Sequence, residues 1–354
     1  MKKTIVFTGG GSAGHVTPNI AIIDELDKSV WDVQYIGSKK GIEKELIEKI
    51  SIPYHGISSG KMRRYLDFEN VVDSFRVLKG CMDARKVLRK LKPALVFSKG
   101  GFVSVPVIIA ARSLKIPVLI HESDMTPGLA NKIAQRFATK IFTSFEETLN
   151  YFPKDKTAAI GSPIRRGILK GSPYKGTELL GFDRKRPVLT VMGGSLGAKK
   201  INETIRAALP LLKDYQIIHL CGKGNVDENY TNLKDYKQFE YVFDELPHYL
   251  AATEFVITRG GSNSIFEFLA LKIPMLIIPL TKNQSRGDQI LNGRSFQEKG
   301  YAMMLEEENL SVDTLVIHLA GLKKRRDEMK EKMTSLEVKD AIGVLVREIN
   351  ANSK

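Results

Sequence analysis

Short runs of Val, Ile, Leu and Phe recur at residues 4–8, 32–36, 54–57, 94–98, 117–120 and 140–143, and stretches with helical spacing of apolar positions separate them. Such runs are the mark of strands buried on both faces. Their alternation with helical patterns predicts a parallel sheet with crossover helices. A second series at 187–192, 216–220, 239–243, 254–258, 274–278 and 301–305 repeats the arrangement. The run Ala158-Ala159-Ile160 closes the first sheet, and Gly161-Ser162-Pro163 punctuates the chain after it. The expected fold class is therefore α/β, with two Rossmann-like domains over 1–162 and 163–338. The final stretch, 339–354, is read as a helix packing back on the first domain.

Two glycine-rich turns answer each other across the halves. Thr4-Ile5-Val6-Phe7-Thr8 runs into Gly9-Gly10-Gly11-Ser12-Ala13-Gly14-His15, and Val188-Leu189-Thr190-Val191-Met192 runs into Gly193-Gly194-Ser195-Leu196-Gly197-Ala198. Glycines let the backbone approach a ligand closely, and the first N–H groups of the following helix favour bound phosphate. Lys99-Gly100-Gly101-Phe102 and Arg259-Gly260-Gly261-Ser262-Asn263 end two further strands in the same way. A helix over about Val71 to Leu91 puts Phe75, Leu78 and Met82 on one side, a stripe expected to be core, with Arg76, Lys79, Arg85, Lys86, Arg89 and Lys90 on the others.

Length and charge narrow the picture. At 354 residues the chain suits two domains. Its longest unbroken apolar runs, such as Val105–Ala111, are far too short to span a bilayer, and no signal-peptide pattern is present, so residence in the cytoplasm is expected. Two cysteines cannot build a disulfide framework or a Cys-rich metal site. The net charge is +14, and residues 61–99 hold eleven Lys or Arg against four Asp or Glu, so a basic surface is concentrated there. In Met62–Phe68 cations are mixed with large apolar residues without a clean strand or helix period, as docking on an anionic membrane surface requires, a partly buried loop being the alternative. No nucleic-acid-binding module is recognisable, and no nucleic-acid partner is expected. The acidic run Glu306-Glu307-Glu308 reads as an exposed loop.

Gly9, Gly11 and Gly14 fit G-x-G-x-x-G, but the second strand ends in Gly37-Ser38-Lys39-Lys40 rather than in the acid that would hold an NAD ribose. The lysines leave an NADP site as the alternative, which His15 beside the turn disfavours. Histidine titrates near pH 6.5, so His15 can accept a proton from a hydroxyl. Glu267, just beyond the Arg259–Asn263 turn, can accept hydrogen bonds from both hydroxyls of a ribose. Arg165 and Ser195 suit a diphosphate, and no carboxylate pair with metal-bridging spacing is seen.

Taken in order, Gly9–Pro18, Gly100–Ser104, His121-Glu122, Gly193–Ala198 and Arg259–Gln289 resemble the MurG family of bacterial N-acetylglucosaminyltransferases. The resemblance implies two Rossmann-like domains facing across a cleft, the GT-B type of glycosyltransferase. It implies a UDP-N-acetylglucosamine donor, an acceptor of muramyl-pentapeptide on undecaprenyl diphosphate, no cofactor or metal, and a peripheral position on the cytoplasmic face of the cell membrane. Carried over residue by residue, Ser12, Ala13 and Gly14 would lie by the donor sugar, Arg165 and Ser195 by the diphosphate, and the Phe243 backbone by the uracil. Glu267 would hold the ribose, Gln289 the sugar hydroxyls, and His15 would act near the acceptor. Two departures bring carboxylates toward the sugar: Ser123-Asp124 where the family often has Asn, and Asp288-Gln289 where it has a Gln pair.

Overall fold

The computed structural model describes residues 2–60, 68–194, 197–282, 284–336 and 339–353, and for 68–74 the backbone alone. The segment proposed above for the membrane, Met62–Phe68, therefore lies outside the residues whose side chains are described, as does Ser195. The chain divides into two compact units, Met1–Ile164 with Lys339–Lys354, and Arg165–Val338.

In the first unit the elements run β1 (Lys3–Thr8), α1 (Thr17–Asp24), β2 (Trp31–Ser38), α2 (Ile42–Lys49), β3 (Tyr54–Ile57), α3 (Phe68–Leu91), β4 (Leu95–Ser98), α4 (Ser104–Ser113), β5 (Val118–Glu122), α5 (Leu129–Ala134), β6 (Lys140–Thr143) and β7 (Thr157–Ala159). The second holds α6 (Pro173–Leu180), β8 (Val188–Met192), α7 (Lys199–Ala208), β9 (Gln216–Leu220), β10 (Tyr236–Phe239), α8 (Leu246–Ala252), β11 (Phe255–Thr258), α9 (Ser262–Ala270), β12 (Met275–Ile277), α10 (Asp288–Glu298), β13 (Ala302–Met304), α11 (Val312–Lys324) and α12 (Arg326–Ser335). The chain then returns to the first unit as α13 (Ala341–Asn352).

Both sheets are parallel, with strand orders β3-β2-β1-β4-β5-β6-β7 and β10-β9-β8-β11-β12-β13. Each order reverses beside its first strand, between β1 and β4 and between β8 and β11. In open sheets of this kind ligands bind outside the carboxyl ends of the strands at that reversal. The four glycine turns follow these four strands. One face of the first sheet packs Ile5, Phe7, Tyr35 and Phe97 against Ile22 of α1 and Leu345 and Ile349 of α13. The other packs Val6, Ile36, Val96 and Ile120 against Ala84 and Leu88 of α3 and Val107 and Ile108 of α4. Helix α13 is further tied by Trp31 Nε1 donating to Asn350 Oδ1 at 3.0 Å and by a Lys140–Glu348 ion pair at 2.7 Å.

Three expectations are corrected. The stripe Phe75, Leu78 and Met82 is not core: these residues are 69%, 61% and 66% exposed. The face of α3 turned to the domain is instead made by Gly80, Ala84 and Leu88, the small residues allowing close approach. A Cβ on Gly80 would stand 2.3 Å from the Ser58 carbonyl. The strand expected at 239–243 is Tyr236–Phe239, because Tyr236 is the residue that buries, while Tyr241 and Phe243 are 41% and 70% exposed beyond the strand's end. Finally, Glu307 of the acidic run is buried, its carboxylate 2.6 Å from the buried guanidinium of Arg259.

Candidate active site

In the first unit, the turn after β1 holds Ser12, Ala13, Gly14 and His15 together, the last three forming a single helical turn before α1. Ser12 Oγ lies 3.0 Å from His15 Nδ1, and the His15 amide donates to Ser12 O at 3.1 Å. The imidazole is half-buried, so it is held by the turn yet reachable. The turn is braced from below by the fully buried Glu43. Its Oε2 accepts from the Gly11 amide at 3.2 Å, and Oε1 accepts from the Ser38 amide at 3.0 Å and the Ser38 hydroxyl at 2.5 Å. The neighbouring turn after β4 comes so close that a Cβ on Gly101 would stand 2.2 Å from Gly10 O. Gly101 also has a φ of +85°, so both space and backbone demand glycine.

Asp124, on the loop after β5, joins this edge. Its amide donates to Glu122 Oε1 at 3.0 Å, and its carbonyl accepts from Thr148 Oγ1 at 3.2 Å. Glu122 Oε2 accepts from Gly128 N at 3.1 Å and Asn131 Nδ2 at 2.9 Å. Burial, and then the Asp124 charge, push the Glu122 carboxyl above the usual range, against these hydrogen bonds. Next to it lies a group that motif reading gave no role. Lys99, 2% exposed, donates from Nζ to His121 Nδ1 at 2.7 Å and to the Ser123 hydroxyl. Burial lowers Lys99 to about 8, with Glu122 and Asp124 pulling it back up. The signal was a lysine ending a strand whose residues Leu95, Val96 and Phe97 are wholly apolar.

The second unit pairs Arg165 with Glu267 and sets Gln289 against the turn after β11. Glu267, on α9, is buried, and its Oε1 accepts from Arg165 Nε at 3.2 Å and Nη2 at 3.1 Å. Burial raises the Glu267 carboxyl, while Arg165 opposes the rise by its charge and hydrogen bonds. Gln289, in the first turn of α10, accepts through Oε1 from Leu280 N at 3.0 Å, and its carbonyl abuts Gly260, where a Cβ would stand only 2.3 Å away. Asn292 Nδ2 donates to Gly260 O at 3.0 Å, so α10 and the turn after β11 are locked together. Asp288 takes the Arg286 guanidinium at 3.3 Å. Phe243 stands apart, after β10, its carbonyl accepting from Leu246 N at 3.3 Å. Gly197, in the turn after β8, has a φ of +77°, and a Cβ there would meet Cys221 O at 2.1 Å. No cluster of three or more His, Cys, Asp or Glu able to hold a metal occurs among the described residues.

The model of the glycosyltransferase family 28 N-terminal domain matches residues 5–143, and that of the family's C-terminal domain matches residues 188–345. The chain belongs to glycosyltransferase family 28. Over 349 residues this family 28 chain is 59% identical to UDP-N-acetylglucosamine--N-acetylmuramyl-(pentapeptide) pyrophosphoryl-undecaprenol N-acetylglucosamine transferase 2 of Bacillus cereus, spanning 98% of this chain and 99% of that one. The enzyme of the same name, without the numeral, from Clostridium botulinum is 53% identical over 349 residues, 98% of each chain. Among solved structures, Acinetobacter baumannii MurG resembles it with a TM-score of 0.77 at 24% identity over 99% of both chains. UDP-GlcNAc 2-epimerase from Neisseria meningitidis, bound to UDP-GlcNAc, does so at 0.69 and 14% identity over 99% and 100%. These structural likenesses speak for the fold, and the sequence identities for the family.

Proposed function

We propose that this chain transfers N-acetylglucosamine from UDP-N-acetylglucosamine to muramyl-pentapeptide carried on undecaprenyl diphosphate, with inversion and without a metal. The observation that carries the reading is the 59% identity maintained over 98% of the chain to an enzyme named for that reaction. In this reading the second unit holds the donor. Glu267 accepts from the ribose hydroxyls, the Phe243 backbone reads the uracil, Arg165 and Ser195 meet the diphosphate, and Gln289 meets the sugar hydroxyls. A guanidinium has five N–H donors, so Arg165 can serve the diphosphate while it orients Glu267.

The acceptor hydroxyl attacks the anomeric carbon from the face opposite UDP. As the new C–O bond forms, the bond to the diphosphate oxygen breaks, UDP leaves with its electron pair, and His15 takes the hydroxyl proton. Negative charge grows on the leaving diphosphate, and helix N-termini, hydroxyls and Arg165 stabilise it there. Ser12, Ala13 and Gly14 border the sugar, and Asp124 can accept from one of its hydroxyls or from the acceptor.

Membrane approach is assigned to α3. Phe75, Leu78 and Met82 are exposed on the side away from the sheet, with Arg85, Lys86 and Arg89 exposed beside them. Apolar tips flanked by cations match an anionic membrane surface, so the reading is of a peripheral protein at the cytoplasmic face. Among the described residues no helix is long and apolar enough to cross a membrane. The test is a donor screen with radiolabelled nucleotide sugars against a short-chain, lipid-linked muramyl-pentapeptide. Label should pass from UDP-N-acetylglucosamine in preference to other sugars; binding of UDP without any transfer would make the chain a nucleotide-sugar sensor instead.

A further inference from the structure

Lys99 is costly where it stands. Its side chain is fully buried at the end of β4, and both groups that accept hydrogen bonds from its ammonium, His121 Nδ1 and Ser123 Oγ, are neutral. The neutrality of His121 follows from chemistry: Nε2 lies 3.1 Å from Gly161 O, which can only accept, so Nε2 carries the proton and Nδ1 is left as the acceptor. Burial and the Lys99 charge hold this imidazole well below its usual range, in agreement. The nearby carboxylates compensate the ammonium from a distance, since the Glu122 oxygens are engaged by Asp124 N, Gly128 N and Asn131 Nδ2. A Met would fill the same channel without the cost of desolvating a charge. The residue after Lys99 opens the Gly100–Gly101 turn, which packs against Gly10 of the His15 turn.

We propose that Lys99 is a positioning residue for the acceptor: its buried ammonium holds Ser123 and, through it, the Asp124 segment, and supplies positive charge at the foot of the two glycine turns for the acceptor's diphosphate. The inference rests on the transferase reading. It identifies a charge inside the domain, acting through His121 and Ser123 and through space, rather than a group that touches the reacting atoms. The titratable groups facing Lys99 are His121 and Glu122 on β5 and Asp124 on the loop after it. Lys99 is charged at neutral pH and loses its charge as pH rises through about 8. Affinity for an anionic acceptor should therefore weaken across that range.

The experiment measures steady-state constants for both substrates from pH 6.5 to 9.5 in the parent and in Lys99→Met, together with thermal midpoints. In the parent, the acceptor KM should rise above pH 8 while the donor KM stays flat. In Lys99→Met, the acceptor KM should already be raised at pH 7 by about tenfold or more, its alkaline rise should vanish, and the thermal midpoint should be equal or higher. An acceptor KM and pH profile identical to the parent's would overturn the proposal. So would proportionate loss of all constants with a lowered midpoint, which marks a structural strut. If Lys99→Met does not fold, the parent profile decides: an acceptor KM that stays flat through pH 9 sinks the idea. A parent that transfers no sugar refutes the transferase reading first, so the two failures are distinguishable.

Discussion

Replacing Glu267 by Gln keeps the shape of the side chain and removes its charge, and the structure separates what this does to folding from what it does to binding. Burial is the largest influence on the carboxyl and raises it; Arg165 offsets only part of that rise. A carboxyl raised in this way penalises the fold above its own pKa, and the penalty fades as pH falls through that value. The substitution relieves this penalty and gives up an ion pair whose arginine side chain is 40% exposed and can rehydrate. Stability at neutral pH should thus stay within about 1 kcal/mol of the parent, on either side. Binding should respond far more. A hydrogen bond to a charged acceptor is worth about 1.5–3 kcal/mol against about 0.5–1.5 for a neutral one, so two ribose hydroxyls give a loss of roughly 10- to 100-fold in UDP affinity. Calorimetric titration with UDP and thermal denaturation of the same samples check both numbers. The parent's affinity should also fall toward acid as Glu267 protonates, at a pH above the ordinary glutamate range, and Glu267→Gln should lack that dependence. Unchanged UDP affinity in a folded variant would remove Glu267 from the nucleotide site. A loss of several kcal/mol of stability would show instead that the Arg165 pair is architectural.

His15→Ala should lower kcat by roughly 10²–10⁴, the usual worth of a general base, and leave UDP affinity within a few-fold, because the contacts proposed for the nucleotide and its diphosphate are on the second unit; near-normal turnover would send the search for the base to Glu122 or Asp124. Serine at Phe75, Leu78 and Met82 should weaken binding to vesicles containing anionic lipid by about tenfold or more, with the thermal midpoint and UDP affinity retained, since these side chains are exposed. Equal vesicle binding by variant and parent would move the membrane surface off this face of α3.

The fold was largely legible because doubly buried strands leave short apolar runs, and because a glycine must stand wherever a turn meets another backbone, as Gly101 meets Gly10. Periodicity failed where it carries no information about the partner. Phe75, Leu78 and Met82 have core-like spacing, yet the packing face of α3 is Gly80, Ala84 and Leu88, two of which are too small to register as hydrophobic. Chemistry failed where it depends on residues far apart in the chain. Arg165 meets Glu267 across 102 positions, and Glu307 is drawn from an acidic run by Arg259 across 48. Lys99 was hidden for a related reason: a lysine beside glycines reads as surface until the sheet order sets β4 next to β5 and brings His121 to its ammonium.

The most direct test of direct displacement by the acceptor hydroxyl is the anomeric configuration of the disaccharide formed from UDP-N-acetylglucosamine in the presence of EDTA, read by NMR on the lipid-linked product. The account predicts a β-linked N-acetylglucosamine from the α-linked donor, with one UDP released for each sugar transferred and no loss of rate to the chelator. An α-linked product, or transfer that stops in EDTA and returns with magnesium, would contradict it.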